Sequence, residues 1–257
     1  MLIGVAAGAF SGLTGVGGGA IMVPLMTGRL GLSQHRAHGT SLAIIVFVAG
    51  AGAAGYAGAG NVDWRLAAAL LPGALAGVYV GARAMIRVPA AHLRLLFGLF
   101  LLAVAFRQLA WDYSAGDPRG PVAGIVFELL FGFLGGALAG VLGVGGGAIF
   151  VPAIVIFGLS EAAEPQKVAQ GVSLVVIVAT GLLGTYINAR HGVIDAPSLR
   201  WIAVPAMAAA VLAALAANSV REAVLTVIYG LTALALGMES IWSSVRALRA
   251  QPVIERV

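Results

Sequence analysis

Apolar residues run almost continuously from Met1 onward, and the polar positions gather in short turns between them. Thr40 to Ala57, Trp64 to Ala82, Leu93 to Trp111, Val122 to Leu142, Val168 to Ala189, Leu199 to Ala217 and Ala223 to Ser244 are each long enough to cross a hydrocarbon core of about 30 Å as a helix. Strands of a membrane barrel would alternate in polarity over about ten residues. These stretches do not alternate, so the pattern predicts an all-α polytopic membrane protein with no room for a soluble domain between spans. The apolar stretch that starts at Met1 lacks a basic leader and a cleavage site, and is expected to belong to the mature structure.

Two places break the pattern. LTGVGGGAIMVP spans Leu13 to Pro24 and VLGVGGGAIFVP spans Val141 to Pro152, each with three consecutive glycines inside an apolar segment. Aligned at an offset of 128, Gly12 to Pro24 shows ten identities in thirteen positions with its second copy. Beyond an insertion around Glu161 to Pro165 the offset becomes 132, pairing Ala37, Gly39, Ser41 and Leu42 with Ala169, Gly171, Ser173 and Leu174. It then pairs Asp63 with Asp195 and Gly98 with Gly230. The chain therefore reads as two homologous halves, 1–117 and 118–257, joined by the polar segment Asp112 to Pro121, and together forming one transport domain. Each half is a glycine-broken helix, re-entrant or discontinuous, followed by three transmembrane helices.

Composition agrees, with 60% hydrophobic and 10% charged residues and a mean hydropathy of +1.01. An ordinary soluble domain carries about a quarter charged residues. The absence of cysteine removes disulfides and thiolate metal sites, and four histidines without ligand spacing predict no metal and no cofactor. Fifteen basic residues give a pI near 10.2, yet they are spread over short loops and predict no nucleic-acid partner. They are topology signals instead. If the halves are inverted repeats, one face receives ten basic residues, among them Arg29, Arg36, Arg83, Arg94, Arg190, Arg246 and Arg249, and the other face five. Parallel repeats divide them seven to eight, which is no bias. Cytoplasmic loops carry the Lys and Arg excess, so inverted repeats with both termini cytoplasmic are expected, in the cell inner membrane.

The duplicated glycine element, the helix starts GTSL and GVSL, and the turn GNVDW resemble the TauE/SafE family of sulfite exporters and related carriers of sulfur-containing organic anions. The likeness covers essentially the whole chain. It implies a transporter, expected to be an exporter, of a small anion such as sulfite or an organosulfonate such as sulfoacetate. The second copies replace Thr40 by Val172 and Trp64 by Ala196, so the halves cannot be interchangeable in every polar contact.

From the residues alone, hydrocarbon tolerates irregular backbone only where it is buried in protein or lines a wet cavity. The two glycine loops should therefore meet inside the protein and present helix N-termini to an anion near the midplane. Gly17, Gly18, Gly19, Gly145, Gly146 and Gly147 are the candidate backbone contacts, and Thr40, Ser41 and Ser173 the candidate hydroxyls. Pro24 and Pro152 are expected at or near the helix restarts. Gly8, Gly12, Gly50 and Gly52 read as packing residues, and Asp63 and Asp195 as N-caps. Glu128 and Glu239, acids inside apolar segments, are candidates for coupling to H+ or Na+. A passive anion channel, and less strongly an intramembrane enzyme, stand as alternatives; no nucleophile, metal cluster or carboxylate pair at catalytic spacing supports the latter.

Overall fold

A computed structural model describes residues 1–84, 90–110, 121–156 and 163–250. Residues 112–120 of the joint between the halves, Trp111, and Glu161 of the insertion lie outside the described residues. Within them the chain is helical: α1 (Leu2–Thr14), α2 (Gly19–Leu30), α3 (Gln34–Gly58), α4 (Trp64–Ala84), α5 (Ala90–Ala110), α6 (Pro121–Leu142), α7 (Gly147–Ile156), α8 (Pro165–Arg190), α9 (Ala196–Ser219) and α10 (Glu222–Ala250). Six of these, α3, α4, α6, α8, α9 and α10, are long and apolar enough to cross a membrane, and α5 occupies the remaining expected stretch. The protein is a multi-pass membrane protein.

Helix ends fall where the turn chemistry puts them. The Asp63 carboxylate accepts the Leu66 N–H at 3.0 Å ahead of α4, and Asp195 accepts the Ser198 N–H at 3.0 Å ahead of α9, both as N-caps. α1 and α2, at 13 and 12 residues, rise about 20 Å or less and cannot span the core singly.

Two long-range packings repeat residue by residue. Gly4, Gly8 and Gly12 of α1 press on the Ile202, Ala206 and Ala210 carbonyls of α9. Gly132, Gly136 and Gly140 of α6 press in the same way on the Leu70, Ala74 and Val78 carbonyls of α4. The two sets are related by the offsets of 128 and 132 found in the sequence. Small residues at every fourth position let helix backbones approach closely. Each pair joins a helix of one half to a helix of the other, while α3 packs on α8 and α5 on α10 across the same pseudo-symmetry.

Helix ends also meet across the halves. Arg36 at the start of α3 pairs with Asp195 at 2.7 Å, Gln108 near the end of α5 donates to Gln166 of α8 at 2.7 Å, and Asn61 donates to Asn218 at 2.7 Å. Three exposed arginine–aromatic stacks, Arg83 on Tyr79, Arg190 on Tyr186 and Arg246 on Trp242, lie at 3.5 to 4.5 Å. Trp64, Trp201 and Trp242 are exposed near helix ends, as interfacial anchors are.

Candidate functional site

Both glycine loops follow the same path. Gly15, Gly17 and Gly18 have φ of 70°, 96° and 74°, and Gly143, Gly145 and Gly146 have φ of 70°, 93° and 80°. This left-handed backbone is open to glycine and costly for other residues, which accounts for the first two glycines of each triplet; the third, Gly19 or Gly147, is set by its close approach to the other loop. After the turn the chain folds back: a Cβ on Gly18 would lie 2.6 Å from the Ala7 carbonyl of α1, and one on Gly146 would lie 2.6 Å from the Gly135 carbonyl of α6. The loops are buried and meet each other. Gly19 abuts the Gly143 carbonyl and Val144, Gly147 abuts the Gly15 carbonyl and Val16, and the equivalent isoleucines Ile45 and Ile177 close around them.

Each half also holds the other half's break. Gln170 of α8 lies over Gly15, donates through Nε2 to the Leu13 carbonyl at 3.0 Å, and accepts from the Tyr56 hydroxyl at 2.6 Å. His38, its equivalent on α3, lies over Gly143 with its ring toward the Leu142 and Gly140 carbonyls. Both are buried.

The prolines sit deeper than expected. Gly18 is the N-cap of α2, so Pro24 is inside the helix, as is Pro152 in α7. A proline there removes the hydrogen bond to the carbonyl four residues back. In α7 that carbonyl, Ala148, receives the Tyr229 hydroxyl at 3.4 Å. The equivalent of Tyr229 is Phe97, which has no hydroxyl to offer the Ala20 carbonyl of α2.

A pocket of about 450 Å³ runs beside α2, within the range of small-molecule sites. Gly19 and Ala20, which precede the first helical N–H bond of α2, from Ile21 to Gly18, line its inner end. His35, His38 and Arg94 bring positive or titratable groups to it, and Glu239, Ser240 and Ser243 form a polar stripe on one face of α10.

Of the residues expected to bind substrate, only Gly19 lines this pocket, while Gly17, Gly18, Gly145, Gly146 and Gly147 build the buried loop contact beneath it. Ser173 donates to the Gly15 carbonyl at 2.7 Å and so steadies a loop. Thr40 accepts the Asp195 N–H at 2.8 Å, tying α3 to the turn before α9. Ser41 Oγ is buried with no hydrogen-bond partner among the described residues. Glu239 faces the pocket; Glu128 is buried on α6 and does not line it. The sequence reading did not single out His35, Arg94, Ser240 or Ser243. The spacing of Leu236, Glu239, Ser240 and Ser243 carried the signal, since those positions share a face at helical period.

The two halves stand in different settings. α7 is buried from Gly147 to Val155, whereas in α2 only Gly19, Met22, Val23 and Met26 are buried. Gln166 and Lys167 are buried, whereas their equivalents Gln34 and His35 are exposed.

Comparison with known proteins places the chain. The family described as Sulfite exporter TauE/SafE matches residues 1–107 and 128–256. A "probable membrane transporter protein" of Xylella fastidiosa is 29% identical over 247 residues, 93% of this chain and 92% of its own. The Bacillus subtilis "probable membrane transporter protein YunE" is 25% identical, covering 72% of this chain and 75% of its own, and a Methanocaldococcus jannaschii "probable membrane transporter protein" is 24% identical, covering 74% and 72%. No solved structure matches. A duplicated glycine break, a helical membrane fold and a family match across both halves lead to one conclusion: this chain belongs to the TauE/SafE sulfite exporter family.

Proposed function

We propose that the protein is a carrier that exports a small anion, sulfite or an organosulfonate such as sulfoacetate, by alternating access around the paired glycine loops. The observation that carries this reading is the unequal setting of equivalent elements. A pocket reaches the glycine loop along half-exposed α2, while α7, its repeat partner, is buried from Gly147 to Val155. Two homologous halves in two environments is the arrangement of a carrier open on one side.

The repeats are inverted in this reading. Arg36 with Asp195, Gln108 with Gln166 and Asn61 with Asn218 all join ends that inverted repeats put on one face and parallel repeats put on opposite faces. The pocket then opens toward the arginine-rich face, which is the cytoplasm, and an exporter would load there. The anion sits toward Arg94, His35, His38 and the N-terminus of α2, where the first N–H groups and the positive end of the helix dipole favour negative charge. Glu239, on the same pocket, is the better placed of the two coupling candidates for H+ or Na+.

Reconstituted flux tests this. Saturable efflux of labelled sulfite or sulfoacetate, accelerated by the same anion on the opposite side, is expected. Arg94→Gln should raise the half-saturation concentration. Flux that rises linearly with concentration and ignores the trans anion would identify a passive channel.

A further inference from the structure

The end of the molecule away from the pocket is shut by an amide pair. Gln108 Nε2 donates to Gln166 Oε1 at 2.7 Å, and both side chains are buried, at 4% and 0% exposure. The backbone around it is also fastened: Glu222 Oε1 accepts the Gln166 N–H at 2.8 Å, and Lys167 bridges Glu164 at 2.7 Å and the Asn218 carbonyl at 3.1 Å. The pair is incomplete, however. Gln108 Oε1 and Gln166 Nε2 are buried with no hydrogen-bond partner among the described residues. A half-satisfied buried polar pair is worse than an apolar seal, so holding this end shut permanently does not explain it.

The repeat offset of 132 maps Gln108 onto Ser240 and Gln166 onto Gln34. Both of these line the pocket. The same two positions, one from each half, are thus hydrogen-bonded at one end of the molecule and line the pocket at the other. We propose that Gln108–Gln166 and Gln34–Ser240 are two alternating gates, the first closing the far end when the pocket is open and the second closing the pocket when the first parts. This rests on the alternating-access reading and adds the residues that execute it. The second gate is the weaker by its chemistry: the equivalents of Lys167 and Glu222 are His35 and Ala90, so the lysine and the carboxylate that fasten the first pair have no counterparts there. The pocket-open form is accordingly the resting one.

The chain has no cysteine, so thiols can be placed at will. The pairs Gln108→Cys with Gln166→Cys, and Gln34→Cys with Ser240→Cys, are made in the full chain, reconstituted without added anion and treated with dibromobimane, which fluoresces when it bridges two thiols. The first pair should link quickly. The second should link to completion but roughly 10- to 1000-fold more slowly, as expected for a minor state populated at 0.1–10%. A protein carrying all four cysteines should acquire one bridge or the other and never both. The gates are refuted if the second pair never links while each of its single cysteines reacts with monobromobimane, or if both bridges form in one molecule. Trans-stimulated flux of the unlinked parent judges the carrier reading separately: flux with no second link sinks the gates alone, and no flux sinks the reading beneath them.

Discussion

The Arg36 guanidinium meets the Asp195 carboxylate at 2.7 Å across 159 residues of sequence. That contact puts the start of α3 beside the turn between α8 and α9, and it makes topology the first thing to test. Single cysteines at His35 and Gly192 should react with an impermeant maleimide only from the cytoplasmic side, and those at Gly60 and Glu164 only from the other. Labelling of His35→Cys and Glu164→Cys from one side would overturn the inverted arrangement.

The same aspartate supplies a pH prediction. Hydrogen bonds from the Ser198 hydroxyl and N–H, and then the Arg36 charge, hold its carboxyl below the ordinary range. The ionised form is therefore the one folding favours, and its contribution is complete above about pH 3.9 and fades as pH falls through the lowered value. Asp195→Asn keeps a capping oxygen but cannot titrate. Between pH 6 and pH 3 the parent should lose more thermal stability in detergent than Asp195→Asn does; parallel losses would contradict the assignment. Asp195→Ala, which removes the cap altogether, should cost about 0.5–2 kcal/mol at neutral pH.

The pocket separates the two candidate acids. Glu239 lines it and Glu128 does not. One coupled proton lets a one-unit pH gradient sustain up to roughly tenfold accumulation, since each factor of ten is 1.4 kcal/mol. Glu239→Gln should reduce that ratio to one while leaving trans-stimulated exchange intact, and Glu128→Gln should retain it. Undiminished accumulation in Glu239→Gln would remove this residue from the coupling step.

Substitution in the glycine loops should injure the fold as well as transport. At Gly18 and Gly146 an alanine meets a left-handed backbone, costing about 1–2 kcal/mol, and a carbonyl 2.6 Å from its Cβ. Gly8→Ala is no silent control, because its Cβ runs into the Ala206 carbonyl. Gly50→Ala is one, with Val178 at 3.8 Å as its nearest neighbour. Thermal denaturation should show Gly18→Ala, Gly146→Ala and Gly8→Ala all weakened and Gly50→Ala unchanged. A Gly18→Ala protein as stable as the parent would mean that the loop relaxes freely.

How far the sequence reaches follows from which features are local. Spans, caps and the positive φ at the first two glycines of each triplet are set by neighbouring residues, and Asp63, Asp195, Gly18 and Gly146 were legible for that reason. The meeting of the loops followed from the ban on exposed irregular backbone in hydrocarbon. What could not be read was the asymmetry. Gln34 and Gln166 are the same residue at equivalent positions, and only the packed state decides that one is exposed and the other buried. Ser173 and Thr40 were legible as polar groups in apolar helices, but their partners, the Gly15 carbonyl and the Asp195 N–H, depend on long-range packing that spacing does not encode.

The crossed glycine seams bear on how the protein is made. α1 leaves the ribosome well before its close-fitting partner α9, which belongs to the other half. Until then a 13-residue helix, too short to hold itself across the bilayer, has its glycine face uncovered. α4 likewise waits for α6. Neither half can close its own seams, and a ribosome that stops before α9 leaves a chain in which the α4–α6 seam can form while the glycine face of α1 has no helix to rest against.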